Sequence, residues 1–273
     1  MNKKLGKFAV YSILIIGGIL SLTPFIWMLL TSLKTMSEST QVPPTMFPSQ
    51  VMWSNYVEVF KLLPFGTYFV NTLLSTLIMV IGQLVFCSMA GYAFARLEFW
   101  GKKKIFLVFL TILMVPGQIY LIPQYLIIQK LGLLNSLTAL FLPGLFSAFG
   151  TFLLKQFFET IPRELEEAAI IDGCNPFQIY WRVMLPLIKP ALITLSILTA
   201  LYGWNSLMWP LIVNTSASKM TLSAGLASLA GQRTTNIPIM MAGSLVAMAP
   251  MLIFFIIFQK KFIEGVASTG SKG

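Results

Sequence analysis

The chain has no histidine and only two cysteines among its 273 residues. Losing histidine removes the commonest general base and metal ligand together. Cys87 and Cys174 show no CxxC spacing, so zinc and redox chemistry have no framework. A cytosolic Cys174 also disfavours a disulfide. Charge is equally scarce. Charged residues make up 10% of the chain, against about 25% in a soluble domain, and cannot cover a water-facing surface. GxxxxGK[ST], GxSxG, HExxH and any Ser/His/Asp set are all missing. The chain therefore has neither a phosphate loop for ATP nor a hydrolytic centre. It reads as a non-catalytic protein with no metal site and no cofactor of its own.

Apolar residues fill the gap, at 56% of the sequence. Six runs approach the ~20 apolar residues that cross a bilayer as a helix: residues 8–30, 68–94, 105–128, 137–158, 191–213 and 238–258. Each must be helical, because an open strand in lipid leaves its backbone unsatisfied. Pro116, Pro123 and Pro143 mark kinks or interfacial turns in the third and fourth runs. The first run is too long for a cleaved signal peptide and leads to Pro24 and Trp27 rather than an A-x-A site. The fold class expected is an all-α membrane protein with six transmembrane helices.

The net charge of +10 is distributed unevenly. Fourteen of the 19 Lys and Arg residues fall on the side holding both termini, and only Lys34, Lys61, Lys130, Lys219 and Arg233 fall on the other. The positive-inside rule makes both termini cytoplasmic. A bacterial plasma membrane is the expected location, with anionic lipid as a partner of the basic side. Scattered among apolar runs, these cations form no nucleic-acid face. The nine carboxylates all lie outside the runs. Ion-coupled carriers typically use an intramembrane acid, so proton coupling is disfavoured and a neutral, hydroxyl-rich cargo is suggested. An ion-coupled carrier or passive channel for a small neutral solute is the alternative, and transport without any ATPase would favour it.

The most polar inner segment, residues 158–190, reads as two short helices joined by a turn. Pro162 suits a first helical turn, with Glu164, Glu166 and Glu167 near the positive dipole end. Gly173 is placed to end that helix in a left-handed conformation. Asn175 can cap a second helix that has Pro176 at its first position, and Pro186 and Pro190 close it. Glu164, Ala168 and Ile171 share one stripe. Ala168 and Ala169 leave a small flank that another backbone could approach, edged by Glu167 and Asp172. The segment is either a solvated connector or a docking lever for a soluble partner.

Glu167-Ala168-Ala169, Gly173 and the later Val183-x-Leu185-Pro186 resemble the EAA signature of binding-protein-dependent ABC importer permeases, with Val183 where the pattern favours Ile. Further runs are similar to the carbohydrate branch, specifically its maltose-type (MalG-like) subunit: YAFAR at 92–96, Val115-Pro116, Ile122-Pro123, Trp204-Asn205, Trp209-Pro210, QKKFIEG at 259–265 and GSKG at 270–273. The resemblance implies a type I ABC importer (MetI-like) permease fold. Residues 1–66 would form the first helix and outer loop, 67–258 the transmembrane core with coupling loop 158–190, and 259–273 a cytoplasmic tail. It further implies pairing with a second homologous permease chain. Two cytosolic ATPase subunits would bind ATP and Mg, and an extracellular solute-binding protein would deliver a di- or oligosaccharide. Glu167, Ala168, Ala169, Asp172 and Gly173 would couple to the ATPase.

Sugars offer hydroxyl edges and apolar C–H faces, so aromatics with a few amides are the expected contacts. Tyr202, Trp204, Asn205, Ser206 and Trp209 in the fifth run, and Asn71 and Gln83 in the second, are the pathway candidates. An interfacial belt for the tryptophans, or interhelical bonding for Asn71 and Ser206, is the competing reading. The outer loop, with its prolines, Trp53, Asn55 and Tyr56, reads as ordered. Ala242, Gly243, Ser244, Ala247 and Ala249 suit close helix packing in the sixth run.

Overall fold

The computed structural model describes residues 3–230 and 236–270. Arg233, the GSKG end beyond residue 270 and the side chains of the 259–265 motif from Lys260 onward lie outside the described residues. The helices in chain order are α1 Lys3–Ser32, α2 Met36–Ser39, α3 Ser54–Leu62, α4 Phe65–Arg96, α5 Lys102–Thr111, α6 Leu121–Lys130, α7 Leu137–Phe141, α8 Ala148–Glu159, α9 Glu164–Ile171, α10 Pro176–Gln178, α11 Leu185–Leu187, α12 Lys189–Trp204, α13 Met208–Val213, α14 Leu222–Ala230 and α15 Ile237–Gly270. No strand occurs among the described residues.

Three helices are long and apolar enough to cross a membrane by themselves: Val10–Ser32 of α1, Phe65–Arg96 and Ile237–Gln259 of α15. Three bent pairs bring the number of spans to as many as six. Lys102–Met114 and Gly117–Lys130 meet at 97°, with Pro116 at the break. Pro116 has no N–H to continue the ladder and disfavours helix at Val115, which is extended at ψ 120. Pro123 lies inside α6 without breaking it. Leu137–Gly144 and Ala148–Glu159 meet at 43° beside Pro143.

The fifth run differs from the expected 191–213. Its helix starts at Lys189, stops at Trp204 and is followed by the separate α13. The membrane-length pair is instead Pro176–Leu187 with Lys189–Trp204, bent by 78°. Asn205 ends α12, its Nδ2 donating to the Leu201 carbonyl at 2.9 Å. Such local side-chain-to-backbone bonds compete with helix continuation.

Two compact units make up the chain, Met1–Phe65 with Gly225–Pro250, and Gly66–Ala224 with Met251–Gly273. In the first, the apolar window of α1 buries none of its residues. Ile13, Leu14, Ile19 and Leu20 stand outward, a surface suited to hydrocarbon or to another chain rather than to water. The outer loop is ordered by polar bonds. Asn55 Nδ2 donates to the Ser32 and Lys34 carbonyls, both at 2.9 Å, and the Ser32 and Tyr56 hydroxyls meet at 2.8 Å. Buried Lys34 donates to the Thr45 carbonyl and lies 4.8 Å from the Trp27 ring centroid. In α15, Ala242 is fully buried, and Gly243 leaves room for the Leu226 side chain, whose Cδ2 an added Cβ would meet at 2.6 Å.

The second unit is built around α4, α8, α9 and α12. Cys87, Tyr92, Leu154, Phe158, Ala169, Tyr180, Met184 and Leu195 form its largest apolar cluster. Gly91 allows α4 and α8 to approach: an added Cβ would stand 3.0 Å from the Lys155 backbone nitrogen. A smaller cluster of Ile128, Ala139, Leu140 and Val213 joins α6, α7 and α13.

Candidate functional site

The inner loop forms largely as its residues dictate. Arg163 stands at the N-cap of α9 without a capping side-chain bond. Pro162 precedes that cap rather than entering the first turn, two residues short of the first helical position at Glu164. Glu164, Glu166 and Glu167 occupy the first turn. At the other end Gly173 adopts φ +80, and its N–H donates to the Ile170 carbonyl while the Cys174 N–H donates to that of Ala169, both at 2.9 Å. This is a Schellman stop, which satisfies two of the orphan carbonyls. Asn175 then makes a reciprocal capping box with Gln178, each bond 2.9 Å, with Pro176 at the first position. A π-helical turn, Ile179–Met184, continues into α11. Pro186 lies within α11 and Pro190 opens α12, so the break falls at Ile188 and not at either proline.

The two alanines face differently. Ala169 is buried in the apolar cluster, whereas Ala168 is exposed beside exposed Glu164, Glu167, Ile171 and Asp172. Ile170 is 61% exposed and Ile171 86%. The small flank is therefore one alanine wide and bordered by two isoleucines that the described residues leave uncovered.

Contacts that hold this loop were not singled out by sequence reasoning. Ser88, Tyr92 and Arg96, at i, i+4 and i+8, form a stripe at the end of α4. The Ser88 and Tyr180 hydroxyls meet at 2.7 Å. The Tyr92 ring packs edge-on against Phe158, centroids 5.5 Å apart, and tilted by 47° against Tyr180 at 5.3 Å. Arg96 donates to the Phe158 carbonyl at 2.6 Å and to that of Ile161, and its Nε lies 3.7 Å from Glu166 Oε1. The i, i+4, i+8 spacing is the signal that could have found them.

In the same unit a cavity of about 890 Å³ opens between α4, the bent third and fourth spans, and the α12–α13 break. Tyr202, Asn205, Ser206 and Trp209 are on its wall, as is Gln83. Trp204 and Asn71 are not among the lining residues. Trp204 is buried with its ring edge-on to Phe69 at 5.8 Å. Asn71 Nδ2 donates to the Ser218 and Met220 carbonyls at 3.0 and 2.9 Å, tying α4 to the segment between α13 and α14. Trp209 lines the cavity with its indole fixed, Nε1 donating to the Ala139 carbonyl at 2.8 Å. The Gln83 amide is also committed, to the Gly144 carbonyl and the Thr199 hydroxyl at 2.9 and 2.8 Å. Gln118 and Gln124, which sequence reasoning passed over, line the wall with no side-chain bond among the described residues. No lining residue carries a charge. The wall offers amides, hydroxyls and aromatic surface, a lining suited to polar neutral molecules. No cluster of metal-ligating side chains occurs among the described residues.

Residues 87–267 match the family described as binding-protein-dependent transport system inner membrane component. The arabinooligosaccharides transport system permease protein AraQ of Halalkalibacterium halodurans is 36% identical over 253 residues, covering 92% of this chain and 91% of that protein. The sulfoquinovosyl glycerol transport system permease protein SmoH of Agrobacterium fabrum is 34% identical over 269 residues, covering 98% and 93%. Among solved structures, a bacterial ABC transporter involved in the import of the acidic polysaccharide alginate has a chain that superposes with a TM-score of 0.81 at 25% identity, over 96% of this chain and 99% of that one. The extent of these matches, on a helical chain with up to six spans, shows that the protein belongs to the family of binding-protein-dependent transport system inner membrane components, as a multi-pass ABC importer permease.

Proposed function

We propose that this chain is the permease subunit of an ATP-driven importer of a neutral di- or oligosaccharide. It works as a non-catalytic half, paired with a second permease chain. ATP and Mg bind two cytosolic ATPase subunits, an external solute-binding protein delivers the cargo, and both termini face the cytoplasm. Residues 158–190 are the coupling loop, within a functional core of 67–258 that follows the helix and outer loop of 1–66 and precedes the tail of 259–273.

The observation that carries the reading is the outward flank of α9. Ile170 and Ile171 are exposed on a helix of eight residues whose other face is packed on the bundle. So short a helix is marginal by itself, yet it is capped at its end, gripped by α4 and left with two isoleucines exposed among its outward acids. Glu167, Ala168, Asp172 and Gly173 are the contact edge and stop of that lever, and Ala169 is its seat on the bundle. A partner closing against the flank can shift it as a unit.

The uncharged cavity wall supports a neutral cargo. Burying a phosphate or carboxylate against amides and hydroxyls alone would leave its charge uncompensated. The test is uptake of tritiated arabinotriose into proteoliposomes holding both permease chains and the ATPase, with the binding protein outside the vesicle face that receives cargo. ATP-dependent accumulation, absent for glycerol phosphate, is expected. Accumulation that continues without ATP would favour an ion-coupled carrier or a channel instead.

A further inference from the structure

One helix, α4, bears both the cavity and the loop. Ser75, Met79 and Gln83 line the cavity, while Ser88, Tyr92 and Arg96 hold the inner segment. No proline interrupts α4, and the thirteen residues from Gln83 to Arg96 span about 20 Å of continuous helix. A displacement received at Arg96 therefore reaches the cavity wall without crossing a hinge.

We propose that Arg96 and Glu166 form a latch through which the coupling helix moves α4, with Arg96 as the positioning residue. The inference rests on the coupling reading given above. Arg96 is 5% exposed at its side chain and Glu166 17%. The guanidinium is anchored on one side by the Phe158 and Ile161 carbonyls at the end of α8. On the other side Arg96 Nε and Glu166 Oε1 are both buried with no hydrogen-bond partner, 3.7 Å apart. A charge-assisted N–H···O bond closes at about 2.7–2.9 Å. A movement of about 1 Å by α9 toward α4 makes this bond, and the reverse movement breaks it. Two states that differ by one such bond have the differential interaction a switch needs. Glu166 lies about 200° around α9 from Ala168, so a push on the exposed Ala168 side is directed toward Arg96.

The experiment uses the complete transporter, both permease chains with the ATPase, in nanodiscs. Gln118→Cys on the cavity wall is the reporter in a Cys174→Ser background, where Cys87 is fully buried. Its maleimide labelling rate is measured with and without ATP plus vanadate, alongside ATP hydrolysis. R96Q and E166Q should abolish the nucleotide-dependent change in labelling, with R96K and E166D retaining part of it, while hydrolysis stays within about threefold. The ATP hydrolysed per solute imported should rise about tenfold or more, the scale set by a charge-assisted hydrogen bond. If R96Q does not assemble, E166Q and E166D decide the matter. An unchanged labelling response in the variants overturns the latch, as does loss of hydrolysis and response together. A wild-type transporter with no nucleotide response would instead overturn the coupling reading.

Discussion

Arg96 Nε stands 3.7 Å from Glu166 Oε1, an opposed buried pair that is close enough to attract and too far apart to hydrogen-bond. It joins the end of one transmembrane helix to the short helix that presents Glu167 and Ala168.

Gly173 has φ +80 and opens onto free space. A substituted side chain there meets no neighbour, so its penalty is conformational: about 1–2 kcal/mol for a residue forced into the left-handed region. Gly173→Val should loosen the Schellman stop and lower uptake about tenfold at an unchanged level of the protein in the membrane. Uptake equal to wild type would count against this turn as part of the lever.

Glu167 is exposed, and Glu167→Lys should leave thermal stability within about 0.5 kcal/mol, as surface changes do. Its effect should instead be on ATPase association, read as loss of the ATPase chains from the purified complex at moderate salt. Retention of both, with normal transport, would assign Glu167 to a solvated edge.

Glu38 gives a pH test outside the spans. Its carboxylate accepts from the Ser49 hydroxyl, from the Thr35 N–H at 3.1 Å and from the Ser49 N–H at 2.9 Å. Those bonds, the Ser49 hydroxyl foremost, lower its pKa from 4.5 to about 2. Because the folded value is depressed, the stabilisation is complete above 4.5 and is lost as pH falls toward 2. Hydrogen exchange at the Ser49 amide should accelerate across that window beyond the intrinsic trend. The same step in Glu38→Gln would contradict the assignment.

At the cavity, Asn205→Leu removes the hydrogen bond from the side-chain amide to the Leu201 carbonyl at the end of α12 and makes the wall less polar. Gln118→Ala deletes an uncommitted amide. Both should weaken arabinotriose uptake through KM, by about 5–10-fold for one lost hydrogen bond. Trp209→Phe should act on stability: the Ala139 carbonyl loses its donor, at a cost of about 1–3 kcal/mol, measured as a lower Tm of the detergent-solubilised chain. An unaltered KM across several sugars would return Asn205 and Gln118 to packing roles.

Much of this architecture was legible in the sequence. The second span was found to within three residues, since α4 runs Phe65–Arg96 where 68–94 was expected. The loop caps at Gly173 and Asn175 were legible because their signals are local: a left-handed stop and a reciprocal box need only neighbouring residues. The less legible parts depended on distant partners. Hydropathy reads composition and not direction, so the 97° bend after Met114 looked like a kink in one span. The halt of α12 at Trp204 was hidden by an apolar run that continues to Val213. Asn71 and Trp204 have the residue types of a sugar site, and only their contacts show one tied to a loop and the other buried beside Phe69. Arg96 resembled an orientation signal at a membrane edge. Its partners come from residues 158–166, brought there by the approach of α8 to Gly91.

The central claim is that solute moves only when an ATPase drives the coupling loop 158–190, whose first helix stops at Gly173. The most direct measurement is arabinotriose accumulation in proteoliposomes prepared with and without the ATPase chains, at equal permease content and with ATP and the binding protein supplied. Uphill accumulation confined to the vesicles holding the ATPase is the predicted result; equal accumulation in both would contradict it.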